Sequence, residues 1–100
     1  MAQFDVYAGI GRSKGYVVEL QADYIPERVP VRVVAPMIPA GKVKPITKLT
    51  PVVRFNDADY LLLIHQLASV PESLVQHPVG NLADVQDEIK RALDVLFIGF

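Results

Sequence analysis

The sequence predicts a mostly β domain closed by a C-terminal α-helix, and three observations carry that expectation. Over the first 80 residues, short β-branched and aromatic runs alternate with Gly, Pro, Asn and Asp. From Asp84 onward the apolar period lengthens: Val85, Ile89, Ala92, Leu93 and Leu96 fall on one face of a helix. The length, 100 residues, suits a single domain over 1–100. Many short strands at such spacing give a small barrel or a sandwich.

Each element has its own justification. Phe4 to Ala8 alternates weakly and reads as the first strand. Gly9, Gly11 and Gly15, with Ser13 and Lys14 between them, make a polar hairpin loop. Tyr16 to Ala22 is the return strand, with Glu19 and Gln21 expected to face water. Pro26 and Pro30 cannot serve a central ladder, so Asp23 to Pro30 is a connection. Val31 to Met37 is a third strand, interrupted by Arg32. A basic loop punctuated by Pro36, Pro39, Gly41 and Pro45 leads to a fourth, Pro51 to Phe55. Asn56-Asp57 is a tight turn of residues that tolerate positive φ. Tyr60 to Leu67 is the most apolar run and is expected as a central fifth strand. Ser69 to Pro71 reads as a bend, and Ser73 to Gln76 as a short sixth strand. Asn81 or Asp84 is placed to cap the final helix, with Asp84, Asp87 and Glu88 near its positive end.

Composition narrows the chemistry. With no Cys, disulfides, CxxC redox chemistry and Cys-ligated metals are excluded. His65 and His77 lie in different elements without metal-ligand spacing, and no metal or cofactor is expected. Gly9-x-Gly11 runs into a charged loop and a strand, without the helix that would hold a phosphate. Ser13, Ser69 and Ser73 are the only serines, and none sits in a GxSxG elbow. No apolar run approaches the ~20 residues of a membrane helix, and Met1 to Asp5 has no signal-peptide character. A cytoplasmic protein is the expectation.

Two features have functional content. The net charge of −1 hides a division: residues 1–27 carry a net −2, residues 28–56 a net +6 without a single acid, and residues 57–100 a net −5. The basic loop Lys42-Val43-Lys44-Pro45-Ile46-Thr47-Lys48 suits nucleic acid phosphates, an acidic protein partner, or plain solvation. The second feature is the chain end, where Leu93, Val95, Leu96, Phe97, Ile98 and Phe100 make the helix apolar all round. Gly99 breaks it. Such an end is an interaction surface or, in the competing expectation, a docked helix whose Phe97 or Ile98 fills the core. Hydrophobic residues make up 51% of the chain, and that surplus favours an interface.

Five segments in order carry a resemblance. Gln3-Phe4-Asp5-Val6-Tyr7, Gln21-Ala22-Asp23-Tyr24-Ile25, Pro51-Val52-Val53, Leu67-Ala68-Ser69-Val70-Pro71 and Leu96-Phe97-Ile98-Gly99-Phe100 resemble the CcdB toxins of bacterial toxin–antitoxin modules. The resemblance runs nearly the full length. It implies an SH3-like β-barrel with a C-terminal helix, a homodimer, and a stoichiometric inhibitor of a topoisomerase that is not itself an enzyme. It further implies binding to the DNA gyrase A subunit and trapping of the gyrase–cleaved DNA complex. The matching positions are Tyr24, Ile25, Asp94, Phe97, Ile98, Gly99 and Phe100. The best-known members carry Trp where this chain has Ile98, Asn where it has Asp94, and an aliphatic residue where it has Tyr24.

The resemblance also implies a cognate CcdA-like antitoxin with an acidic, disordered tail, and operator DNA reached only through the toxin–antitoxin complex. Arg12, Lys14, Lys42, Lys44 and Lys48 are the cations expected to meet that tail. The alternative on the same barrel is a MazF/Kid-type endoribonuclease, for which Arg28, Arg32, Arg54 and His65 are the loose candidates. A third outcome is a CcdB homologue that binds its antitoxin but no longer poisons gyrase.

Overall fold

The computed structural model describes residues 2–10, 15–22 and 30–99. Among the described residues seven strands lead to one α-helix: β1 (Asp5–Ile10), β2 (Gly15–Glu19), β3 (Val31–Pro39), β4 (Val52–Phe55), β5 (Ala58–Leu62), β6 (Ala68–Pro71), β7 (Gly80–Asn81) and α1 (Gln86–Phe97). Every pairing is antiparallel, in the order β4-β5-β3-β2-β1-β7. β3 is the hinge of the architecture. It pairs with β6 over Val31–Val34 and with β5 over Met37–Pro39. One long strand thus serves two shorter ones, and the sheet curls into a half-barrel, as expected of a small β-barrel.

The period-2 pattern sorts side chains onto two faces. Val6, Val18, Ala35, Met37, Val53 and Phe55 line the concave core, which Ile89 and Ala92 of α1 close. Tyr16 stacks edge-on against both Phe55 and Tyr60, at 5.2 and 5.6 Å between ring centres. On the opposite face Tyr7, Val17, Val34 and Val75 form a second, smaller cluster. The central strands are therefore covered on both sides.

That second cluster corrects one expectation. Glu19 does lie on the face that alternation assigns, but the face is dry, and Glu19 is only 1% exposed. The apolar run after β5 also differs from expectation. Leu61 to Ile64 are buried consecutively, which strand alternation does not allow. The Leu63 N–H crosses to the Pro36 carbonyl, and a 3₁₀ turn follows over Ile64–Gln66. β5 therefore stops at Leu62, and β3 rather than β5 holds the centre.

Ser69–Pro71 belongs to β6 and not to a bend, while Glu72–Leu74 is a 3₁₀ turn where a sixth strand was expected. The Asn56-Asp57 turn follows expectation, with φ of 50° and 64° joining Phe55 to Ala58. A 3₁₀ turn, Ala83–Val85, precedes α1 and puts its first residue beyond reach of Asn81 and Asp84. Neither caps it. Asn81 Oδ1 instead accepts the Ala83 N–H at 2.7 Å, while its Nδ2 donates to Asp5 Oδ1 at 2.8 Å. Among the described residues no helix is long and apolar enough to cross a membrane.

Candidate interaction surface at the helix end

α1 docks along one apolar stripe, and its last residues project beyond it. Ile89 and Ala92 are buried, and Val85, Leu93 and Leu96 pack beside them. The stripe then runs out of partners: Phe97 is 69% and Ile98 61% exposed. Neither fills the core, so the docked-helix expectation fails for these two side chains. Helix termination is built into the backbone. The Ile98 N–H donates to the Asp94 carbonyl at 2.8 Å. The Gly99 N–H reaches the Asp94 and Val95 carbonyls at 3.1 Å each. Gly99 takes φ +98°, the left-handed end that glycine provides at no steric cost.

Asp94 is exposed one turn before this stop, with no basic residue in the last turn to balance it. A carboxylate at the negative end of a helix dipole opposes local stability.

Asp94, Phe97, Ile98 and Gly99 are thus brought together at one end of α1. Tyr24, Ile25 and Phe100 lie outside the described residues, as do Arg12, Lys14 and Arg28. Lys42, Lys44 and Lys48 are exposed on the loop before β4. Lys48 borders the same groove as Asp94, Val95 and Gly99, so the basic loop and the helix end adjoin.

Among the described residues the ribonuclease candidates do not assemble. Arg32 Nη1 sits 3.6 Å from Glu19 Oε2 on the second face of the sheet. Arg54 Nη1 is 3.3 Å from Asp59 Oδ1 on the exposed β4–β5 hairpin. β5 separates the strands that carry the two arginines, and it meets the end of β3 far from Arg32. His65 Nδ1 is buried without a partner in the 3₁₀ turn. Arg32 and Arg54 are each held by a carboxylate, in different places.

One network escaped the sequence reading. Tyr7 Oη donates to Glu19 Oε1 at 3.2 Å, and Arg32 faces the other oxygen. Burial raises the Glu19 pKa, against the pull of Arg32 and the Tyr7 hydrogen bond. The same burial, with the neighbouring Glu19 charge, pushes the Tyr7 phenol up. The available signal was a lone acid and a lone base, each interrupting an otherwise apolar strand.

The CcdB family model, described as the CcdB protein, matches residues 3–99. The chain belongs to the CcdB family. Membership makes it a toxin of the toxin–antitoxin type, in a family whose toxins are not enzymes. The matched span takes in all seven strands, α1 and the exposed Phe97-Ile98-Gly99 end.

Proposed function

We propose that this CcdB-family protein, as a homodimer with an SH3-like barrel, binds the A subunit of DNA gyrase and holds the enzyme on cleaved DNA. The observation that carries the reading is the exposure of Phe97 and Ile98 beside the Gly99 stop. Large apolar side chains held in place at a helix end are suited to a pocket in a partner, where a few such residues dominate affinity. The end is pre-ordered by the Asp94 and Val95 carbonyl bonds, so little conformational entropy is lost on docking. A two-fold dimer would offer two such ends to a two-fold target.

Neutralisation follows from charge. The acid-free stretch of residues 28–56, with Lys42, Lys44 and Lys48 exposed, suits the acidic tail of a CcdA-like antitoxin, and operator DNA is reached only through that complex. The site of action is the cytoplasm. The test pairs capture by immobilised gyrase A subunit with a plasmid-cleavage assay using complete gyrase. The native protein is expected to bind and to accumulate cleaved plasmid, and Ile98→Asp to do neither while its circular dichroism is unchanged. Cleavage of RNA by the purified protein, with no capture by gyrase, overturns the reading. Ile98 offers less area than an indole and no hydrogen-bond donor, and Asp94 adds a charge. Antitoxin binding without gyrase capture is therefore the second reading.

A further inference from the structure

Residues 72–79 cross from the β3–β6 ladder to the β1–β7 ladder and are tied down at each end by one backbone bond. The Glu72 N–H donates to the Pro30 carbonyl at 2.9 Å, and the Val79 N–H donates to the Val6 carbonyl at 2.7 Å. Between these ties lies the 3₁₀ turn Glu72–Leu74, closed by the Val75 N–H on the Glu72 carbonyl at 3.1 Å. Val75 is fully buried, while every other residue from Ser73 to Val79 is exposed. No side chain from Ser73 to Val79 makes a hydrogen bond or an ion pair among the described residues. A single valine is therefore the apolar anchor of the segment. We propose that residues 72–79 form a strap that opens as one unit on the intact barrel and uncovers Tyr7 and its hydrogen bond to Glu19.

What lies against the strap favours this opening. Val75 packs with Tyr7, Val17 and Val34, the small cluster on the second face of the sheet. Tyr7 belongs at once to that cluster and to the buried polar network with Glu19 and Arg32. The network is incompletely satisfied, since Arg32 Nε is buried without a hydrogen-bond partner. Buried polar groups left short of partners gain from water, so hydration on opening offsets part of the lost valine contact. The larger core is untouched by the movement, because Ile89, Ala92 and the inner face of the sheet form a separate cluster. Segments with few buried apolar contacts and exposed backbone open well below the free energy of global unfolding. Residues 72–79 meet both conditions, whereas β2 and β3, covered on two faces, do not.

The experiment is native-state hydrogen exchange on the full-length protein, followed amide by amide by NMR. The Val75 and Val79 amides report the strap. The barrel is reported by Leu20, bonded to the Val33 carbonyl, and by Leu63, bonded to the Pro36 carbonyl. The expected result is one opening equilibrium shared by Val75 and Val79, more frequent than that of Leu20 and Leu63 by roughly tenfold or more. Val75→Ala should speed exchange at positions 75 and 79 by the same factor, roughly tenfold for the methyl groups removed. Ile89→Val, in the other cluster, should speed Leu20 and Leu63 about fivefold and leave Val75 and Val79 unchanged. Nitration of Tyr7 by tetranitromethane, located by peptide mass spectrometry, should rise in Val75→Ala by the factor seen at Val79. Unequal factors at positions 75 and 79 overturn the proposal, since they mark independent fraying. Equal responses of all four amides to Ile89→Val also overturn it, because the segment then opens only with the whole molecule. A Tyr7 nitration rate indifferent to Val75→Ala does so as well. None of these readouts involves gyrase, so their outcome is separate from that of the proposed function.

Discussion

Replacing Phe97 by Ala separates binding from folding. The ring is 69% exposed. An aromatic side chain buries about 150–250 Å² in full, so some 100–170 Å² of this one remains for a partner to cover. At ~25 cal/mol per Å² that area corresponds to about 2.5–4 kcal/mol, an upper bound for what the contact adds. Ordering and imperfect fit reduce it, and a loss of about 2 kcal/mol, or roughly 30-fold in Kd, is the expected outcome. The part already buried in the free protein is worth about 1–2 kcal/mol at most, partly offset by the better helix propensity of Ala. Phe97→Ala should therefore weaken gyrase A-subunit binding strongly in titration calorimetry while lowering Tm by no more than about 4–8 °C. An unchanged Kd would refute the argument, and so would a stability loss as large as the binding loss. The latter would mean that Phe97 belongs to the fold.

Other outcomes follow from particular contacts. A methyl group at Gly80 would sit 2.7 Å from Phe55 Cζ, so Gly80→Ala should cost about 1–3 kcal/mol in urea unfolding. Combining it with Phe55→Leu should recover part of that cost, and strict additivity of the two changes would contradict the contact. Gly99→Ala meets open space but an unfavourable φ of +98°, and should lose about 1 kcal/mol. D-alanine at that position, introduced by peptide ligation, should restore the loss. Glu19 carries a raised pKa, so the folded state holds its proton more tightly than the unfolded chain. Its favourable contribution is complete below the ordinary carboxylate range near 4.5 and is lost as pH rises through the raised value. Unfolding free energies measured from pH 4.5 upward should shift steadily in favour of Glu19→Gln over the native protein. A constant difference would contradict a perturbed carboxyl.

The fold was legible wherever local chemistry and tertiary context agree. The Asn56-Asp57 hairpin, the change of period at the helix and the emergence of Phe97 and Ile98 all follow from neighbouring residues. What failed did so where long-range packing decides. Glu19 obeys its alternation, but only the pairing of β2 with β1 and β3 covers its face with Tyr7, Val17 and Val34. Leu61 to Ile64 look like one strand because apolar runs do not reveal which residue will turn away to meet Pro36. The basic loop was visible as charge, but its nearness to Asp94 comes from long-range packing that sets Lys48 and the end of α1 along one groove.

The most direct test removes the helix end. Sedimentation equilibrium and binding to the gyrase A subunit, measured on the chain lacking Ile98 to Phe100, address the central claim together. The account predicts a folded dimer that no longer binds gyrase. Gyrase binding retained by the shortened chain would contradict it, as would loss of the folded dimer, which would assign Ile98 to Phe100 to the protein's own packing.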